Sequence, residues 1–191
     1  MISLGEMNRI QQTMRQDMSD VDIRLYLSEP IMKYSEFSKV QDIGEILKKS
    51  GDYRIVLLEE KKNDGHFCCI FRYKLPNKKP TIVWWDSYGD GIDKELKFIP
   101  EWLRRQLGEN TPFLSKLLKD WVAKGGRVEW NHHRYQKLWT KSACCGRFCV
   151  VRLKCLQCGY YTEEDFFQFM KRYEKKFGLN SEQLVCFWIP A

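Results

Sequence analysis

Two adjacent thiols followed at once by a glycine, Cys144-Cys145-Gly146, stand where a short polar approach gives way to an apolar, helix-compatible run, Phe148-Cys149-Val150-Val151-Arg152-Leu153. A thiol at or next to a helix start meets backbone N–H groups without intrahelical acceptors and the positive end of the helix dipole, a setting that favours a thiolate. That makes Cys145 a candidate nucleophile for acyl transfer, with Cys144 beside it as an alternative. Upstream, Gln136 offers an amide N–H₂ that, with the Cys145 backbone N–H, could stabilise an oxyanion. Taken alone, Gln136 reads better as a surface loop residue.

A thiol nucleophile needs a base near neutral pH, and imidazole is the usual one. The chain has 3 histidines, His66, His132 and His133. His66 follows a glycine turn and opens an apolar stretch, whereas Asp86 closes the next one. A hairpin-like pairing of these stretches would bring the two side chains together at one sheet edge. The carboxylate would then orient the imidazole and stabilise its charged form, as in Cys–His–Asp chemistry. Each residue in isolation is more often structural: Asp86 precedes Ser87-Tyr88-Gly89, a turn-forming run.

The elements that must position these groups follow from pattern. Met7, Ile10, Met14 and Met18 have helical spacing within residues 1–18, which could be an amphipathic helix, an interaction arm or a leader. An acidic-capped segment from Ser19 to Leu27 and a short helix from Asp42 to Lys49 come next. Strands are predicted over 53–58, 66–73 and 81–85, joined by Gly-, Asn- and Pro-rich turns as an antiparallel meander. Residues 100–106 and 112–123 read as helices with proline near the first turn, and 127–130 as a short strand. The helix after Cys145 is expected to reach about Cys158, and Thr162 opens another through a capping-box spacing. Leu184 to Ile189 is read as a closing buried strand. The sum is a single α+β domain over residues 1–191, with 1–18 as an N-terminal extension.

Composition narrows the setting. The chain has 191 residues, enough for one good core, and 43% hydrophobic content with 14% aromatics describes a folded globule. Its net charge of +7 suits an acidic partner such as nucleic acid, and equally a plain basic surface. The 8 cysteines include two adjacent pairs and no secretory signal opens the chain, so reduced thiols in a cytoplasmic or nuclear setting are expected. No apolar run approaches the ~20 residues that cross a bilayer. Cys155-x-x-Cys158 has zinc-ligand spacing without a second half-site, and His132-His133 read as solvated loop residues, so no metal site is expected. Cys68, Cys69 and Cys186 lie in apolar runs and read as core thiols.

Read in order, Gly65-His66-Phe67, Trp85-Asp86-Ser87-Tyr88-Gly89, Asn131 to Gln136 and Ala143-Cys144-Cys145-Gly146-Arg147-Phe148-Cys149 resemble the adenain-like cysteine proteases of adenoviruses, virophages and Polinton/Maverick elements. The wider clan includes the proteases that remove SUMO-like modifiers. The resemblance runs from about Asp20 to Ile189, with virophage capsid-maturation proteases as the nearest fit. It implies a papain-like fold, with a mixed, mainly antiparallel sheet flanked by helices and the nucleophile at a helix N-terminus. It also implies His66 as general base, Asp86 as its orienting acid, Gln136 as oxyanion donor and Cys145 as nucleophile. In these families glycine directly follows the catalytic thiol, which selects Cys145 over Cys144. The sequence departs from the family at Phe67, where Trp is frequent, and at Asp86, where adenoviral enzymes have Glu. The interval from Gln136 to Cys145 is also somewhat longer than in adenain.

The activity so implied is a cysteine endopeptidase cleaving viral capsid and precursor proteins in the virion and in host cytoplasm or nucleus. It would act as a monomer without a required cofactor, with a narrow groove near Trp85 and Trp139 for small residues, often Gly, at the cut. Stimulation by DNA or a viral peptide is implied by the same resemblance. Removal of a ubiquitin-like modifier by the same residues is the alternative. A basic nucleic-acid-binding module is the non-enzymatic one.

Overall fold

The computed structural model describes residues 2–29, 31–137 and 142–190. In chain order it contains α1 (Leu4–Thr13), α2 (Asp20–Arg24), β1 (Ile31–Lys33), a 3₁₀ turn (Tyr34–Lys39), α3 (Ile43–Ile46), β2 (Tyr53–Lys61), β3 (Asp64–Tyr73) and β4 (Thr81–Trp85). A second 3₁₀ turn (Glu95–Phe98) leads to α4 (Glu101–Leu107), α5 (Phe113–Ala123), β5 (Arg127–Trp130), α6 (Cys145–Gln157), α7 (Glu163–Phe177) and α8 (Ser181–Trp188). This is an α+β fold. The chain divides into two compact units, Glu29–His132 on one hand and Met1–Ser28 with His133–Ala191 on the other.

The unit from Glu29 to His132 holds the whole sheet, ordered β1-β2-β3-β4-β5. Its three longer strands form the antiparallel meander expected from the sequence: Leu58 pairs with His66, and Cys69 with Trp85. Outside them, β1 lies parallel to β2 and β5 parallel to β4. Parallel neighbours need a crossover, and α3 supplies it on one side while α4 and α5 supply it on the other. Inner strands buried on both faces lose the polar alternation of half-exposed ones, which is why β4 is apolar apart from Thr81 and buried throughout. One face packs Val56, Leu58, Cys68, Ile70 and Trp84 against Tyr34, Phe37, Leu114 and Leu118 from the 3₁₀ turn and α5.

The hairpin between β2 and β3 is tight. A Cβ on Gly65 would lie 1.9 Å from the Leu58 carbonyl oxygen, so only glycine allows the strand to close there. Asn63 takes the left-handed conformation at φ 62°, which Asn tolerates better than most residues. Its backbone N–H donates to Glu59 Oε1 at 2.7 Å.

The other unit is helical. Around α6, Phe148, Cys149, Val150, Leu153 and Leu156 are all buried, so the helix is enclosed on nearly every side. Arg152 lies inside as well, its guanidinium donating to the carbonyls of Tyr160 and Tyr161 at 2.9 and 2.8 Å. Capping boxes begin α1 at Ser3, α7 at Thr162 and α8 at Asn180. The closing strand expected over Leu184–Ile189 is instead α8. A six-residue apolar run fits a buried strand or a buried helix turn equally well. Here the Asn180 cap starts a helix, which buries Leu184, Val185 and Cys186 together. No helix among the described residues is long and apolar enough to cross a membrane.

Candidate functional site

His66 sits at the start of β3, one residue after the glycine that closes the hairpin, and is 7% exposed. Its Nε2 lies 2.7 Å from Asp86 Oδ1. Asp86 is fully buried just past the end of β4, and backbone amides hold its carboxylate: Tyr88 N–H donates to Oδ1 at 3.0 Å and Asp90 N–H to Oδ2 at 2.9 Å. The Asp86-Ser87-Tyr88-Gly89 run is therefore a turn, as its composition indicated, and the turn orients the acid. A buried carboxylate is stable only when its oxygens are hydrogen-bonded in this way.

Two further residues frame the pair. Asn131, immediately after β5, accepts from the Asp86 N–H at 2.9 Å and donates to the Asp86 carbonyl at 2.6 Å. Its side chain continues the β4–β5 ladder beyond the last paired strand residues and fixes the backbone of Asp86. Tyr88 stacks on the imidazole with ring centroids 4.7 Å apart and an interplanar angle of 26°.

Cys68 joins the pair from the same strand. Side chains two apart on a strand share a face, and the Cys68 sulfur, an imidazole nitrogen and an Asp86 oxygen lie within 4.8 Å of one another. This buried His–Cys–Asp cluster has the chemical make-up of a catalytic triad. The three donor types would also suit zinc, although a closed zinc site uses four ligands and the His66–Asp86 hydrogen bond occupies two of these. Cys68 itself has no exposed surface and belongs to the core beside Val56 and Ile70. The period-2 spacing from His66 was the sequence signal for its position, masked by the apolar run around it.

Cys145 is the first residue of α6 and is partly exposed, in contrast to the fully buried Cys144. Cys144 occupies the cap position and points its thiol elsewhere: its Sγ lies 3.3 Å from Cys186 Sγ and accepts a hydrogen bond from Ser142 Oγ at 3.1 Å. The hydrogen bond between them holds the Cys144 thiol below its usual range and, with burial, pushes the Cys186 thiol up, because the proton kept on one sulfur stabilises a thiolate on the other. Gln136 is 1% exposed, and its Nε2 donates to the Ser142 carbonyl at 2.9 Å, just ahead of the two thiols.

The Trp85 ring is fully buried at the end of β4, on the sheet face opposite Trp84. Trp139 lies outside the described residues. Cys155 is buried in α6, its thiol pushed up to about 12 by burial, while Cys158 is exposed beyond the helix end. His133 packs edge-on against Tyr135 and Phe167, both with centroids at 4.6 Å, and burial lowers its pKa. His132 packs on Trp130.

No family model matches the chain. Over 123 residues it is 34% identical to the uncharacterized protein V9 of Sputnik virophage. The chain is similar to a virophage protein. The likeness spans 64% of this chain and 66%, just under two thirds, of the virophage protein.

Proposed function

We propose that the protein is a cysteine endopeptidase of the adenain type, acting on virophage capsid and precursor proteins. Cys145 is the nucleophile, His66 the general base and acid, Asp86 the residue that orients His66, and Gln136 an oxyanion donor. The observation that carries this assignment is the buried His66–Asp86 pair at 2.7 Å, with the carboxylate held by two turn amides. Such a pair fixes the imidazole ring and stabilises it when it takes up a proton. The pairing through Nε2 leaves Nδ1 as the ring position for proton exchange with a thiol.

In the reaction, His66 takes the Cys145 thiol proton, the sulfur bonds to the scissile carbonyl carbon, and the oxyanion that forms is met by the Cys145 N–H and the Gln136 amide. The C–N bond breaks as His66 delivers its proton to the leaving amine, giving a thioester. His66 then takes a proton from water, which attacks the thioester and releases the acid and the free thiol. Among the thiols, partial exposure at a helix start favours Cys145, because a polypeptide carbonyl cannot reach a sulfur as buried as Cys68 or Cys144. On this assignment residues 1–191 act as one protease domain, and substrate contacts fall to Trp139 and to the backbone near Trp85.

The test is a thiol-directed vinyl sulfone peptide with mass-spectrometric mapping, combined with cleavage assays on capsid precursors and on ubiquitin-like modifier fusions. Labelling is expected at Cys145, and Cys145→Ala is expected to abolish cleavage. Labelling at Cys144 or Cys68, or undiminished cleavage by Cys145→Ala, would overturn the assignment. Preferential cleavage of the modifier fusions would move the substrate class to modifier removal.

A further inference from the structure

Arg147, two residues after the proposed nucleophile, is 1% exposed and spreads its guanidinium over three backbone carbonyls. Its Nε donates to Ile189 at 3.0 Å, and its Nη1 donates to Gln16 at 2.6 Å and to Ala143 at 3.2 Å. These carbonyls belong to the stretch after α1, the end of α8, and the segment just ahead of Cys145. The Ala143 N–H donates to the Met14 carbonyl at 2.8 Å, so both polar backbone groups of Ala143 are tied down. The next carbonyl, on Cys144, is held by the Phe148 N–H at 2.9 Å.

These bonds hold the peptide units that lead into α6. The Ala143 carbonyl fixes the plane of the 143–144 peptide, and the Cys144 carbonyl fixes that of the 144–145 peptide, which carries the Cys145 N–H. That N–H is a first-turn donor with no acceptor inside the helix. Its direction is set by the two planes before it. A buried guanidinium is costly to desolvate, and an aliphatic side chain would fill the position without burying a charge. A planar fork can serve three carbonyls lying in different directions, which the single ammonium of lysine does poorly.

We infer that Arg147 is a positioning residue that uses the chain's N-terminal segment and the end of α8 to hold the Cys145 backbone amide in register for oxyanion stabilisation. This rests on Cys145 being the nucleophile. It gives the first eighteen residues a role in the reaction through the carbonyls of Met14 and Gln16.

The test compares Arg147→Met, Arg147→Lys and Cys145→Ala in the full chain, using a fluorogenic peptidyl-Gly-Gly coumarin amide and thermal unfolding. Arg147→Met is expected to lower kcat by about 100-fold with KM within about threefold, the loss typical of a slight misplacement of reacting groups. Arg147→Lys should recover about tenfold of that loss, since it restores a donor without the fork. A folded Arg147→Met with native kcat overturns the inference, as does failure of both Arg147 variants to fold, which would make the residue purely structural. Cleavage that survives Cys145→Ala overturns the nucleophile assignment and the clamp with it. Cleavage lost in Cys145→Ala but unchanged in both Arg147 variants overturns the clamp alone.

Discussion

His66 Nε2 and Asp86 Oδ1 lie 2.7 Å apart although their residues are 20 positions apart in the chain, and both side chains are buried. The pairing depends on Asp86 standing just beyond a strand end and His66 just inside a strand start, on adjacent strands.

On the proposed assignment, replacing Asp86 by Asn keeps the shape but removes the charge that would stabilise the imidazolium. Cleavage is expected to fall roughly 10²- to 10⁴-fold in kcat, the range seen when a triad acid is neutralised or a general base is lost. Peptide hydrolysis followed under saturating substrate checks this, and a change of less than tenfold would remove Asp86 from the chemistry.

Gly65→Ala would place a methyl carbon 1.9 Å from the Leu58 carbonyl oxygen. The hairpin must open at the residue before His66. Stability should drop by about 1–3 kcal/mol, the usual cost of overpacking, and activity should fall further than stability alone explains. Chemical denaturation beside kinetics separates the two. Native activity in Gly65→Ala would show that His66 tolerates movement.

Cys68→Ala distinguishes the two thiols assigned different roles. As a core residue, Cys68 should cost about 1 kcal/mol of stability on truncation, with cleavage kept within a few-fold. Loss of cleavage in a folded Cys68→Ala protein would transfer the nucleophile to the cluster it forms with His66 and Asp86.

Glu109 gives a pH dependence of stability. It is fully buried, its Oε1 accepts from the Glu59 N–H at 3.1 Å, and burial raises its pKa to about 7. Between an unfolded value of 4.5 and about 7, the folded state binds the extra proton, so stability falls as pH rises through that window and levels off above it. The full effect is up to about 3 kcal/mol. Glu109→Gln should flatten the profile, raising Tm at pH 8 relative to the native chain more than at pH 5. Equal shifts at both pH values would count against a buried, protonated Glu109.

Asn180→Ala tests α8. The Asn180 side chain accepts from the Gln183 N–H at 2.9 Å, and losing such a cap costs about 1 kcal/mol. Because α8 also carries Cys186 against Cys144, alkylation of Cys144 by iodoacetamide under native conditions should quicken in this variant. An unaltered melting temperature and unaltered alkylation would mean the cap contributes nothing.

The local elements were largely legible from sequence. Strands β2 to β4 declared themselves through β-branched and aromatic runs between turn residues, and α5, α6 and α7 through proline, cap and periodic signals. The glycine before His66 marks the tight hairpin and the turn after Asp86 marks the end of β4, so the pairing of His66 with Asp86 followed from the meander. These are properties of short segments, set by steric limits and backbone hydrogen bonding that act within a few residues.

What the chain alone left open required partners distant in sequence. The apolar run at Leu184 suits strand and helix alike, and the cap at Asn180 with the packing of α8 decided for helix. Cys68 and Cys186 read alike as core thiols and Cys144 as an alternative nucleophile, yet Cys68 joins the His66–Asp86 pair while Cys144 and Cys186 face each other. Arg147 reads as an ordinary cation in a helix until the carbonyls of Gln16, Ala143 and Ile189 converge on it. Sequence fixes which groups a residue can offer. Only tertiary packing decides which of them meet, because burial makes an unpartnered polar group too costly and so selects the arrangement in which each finds one.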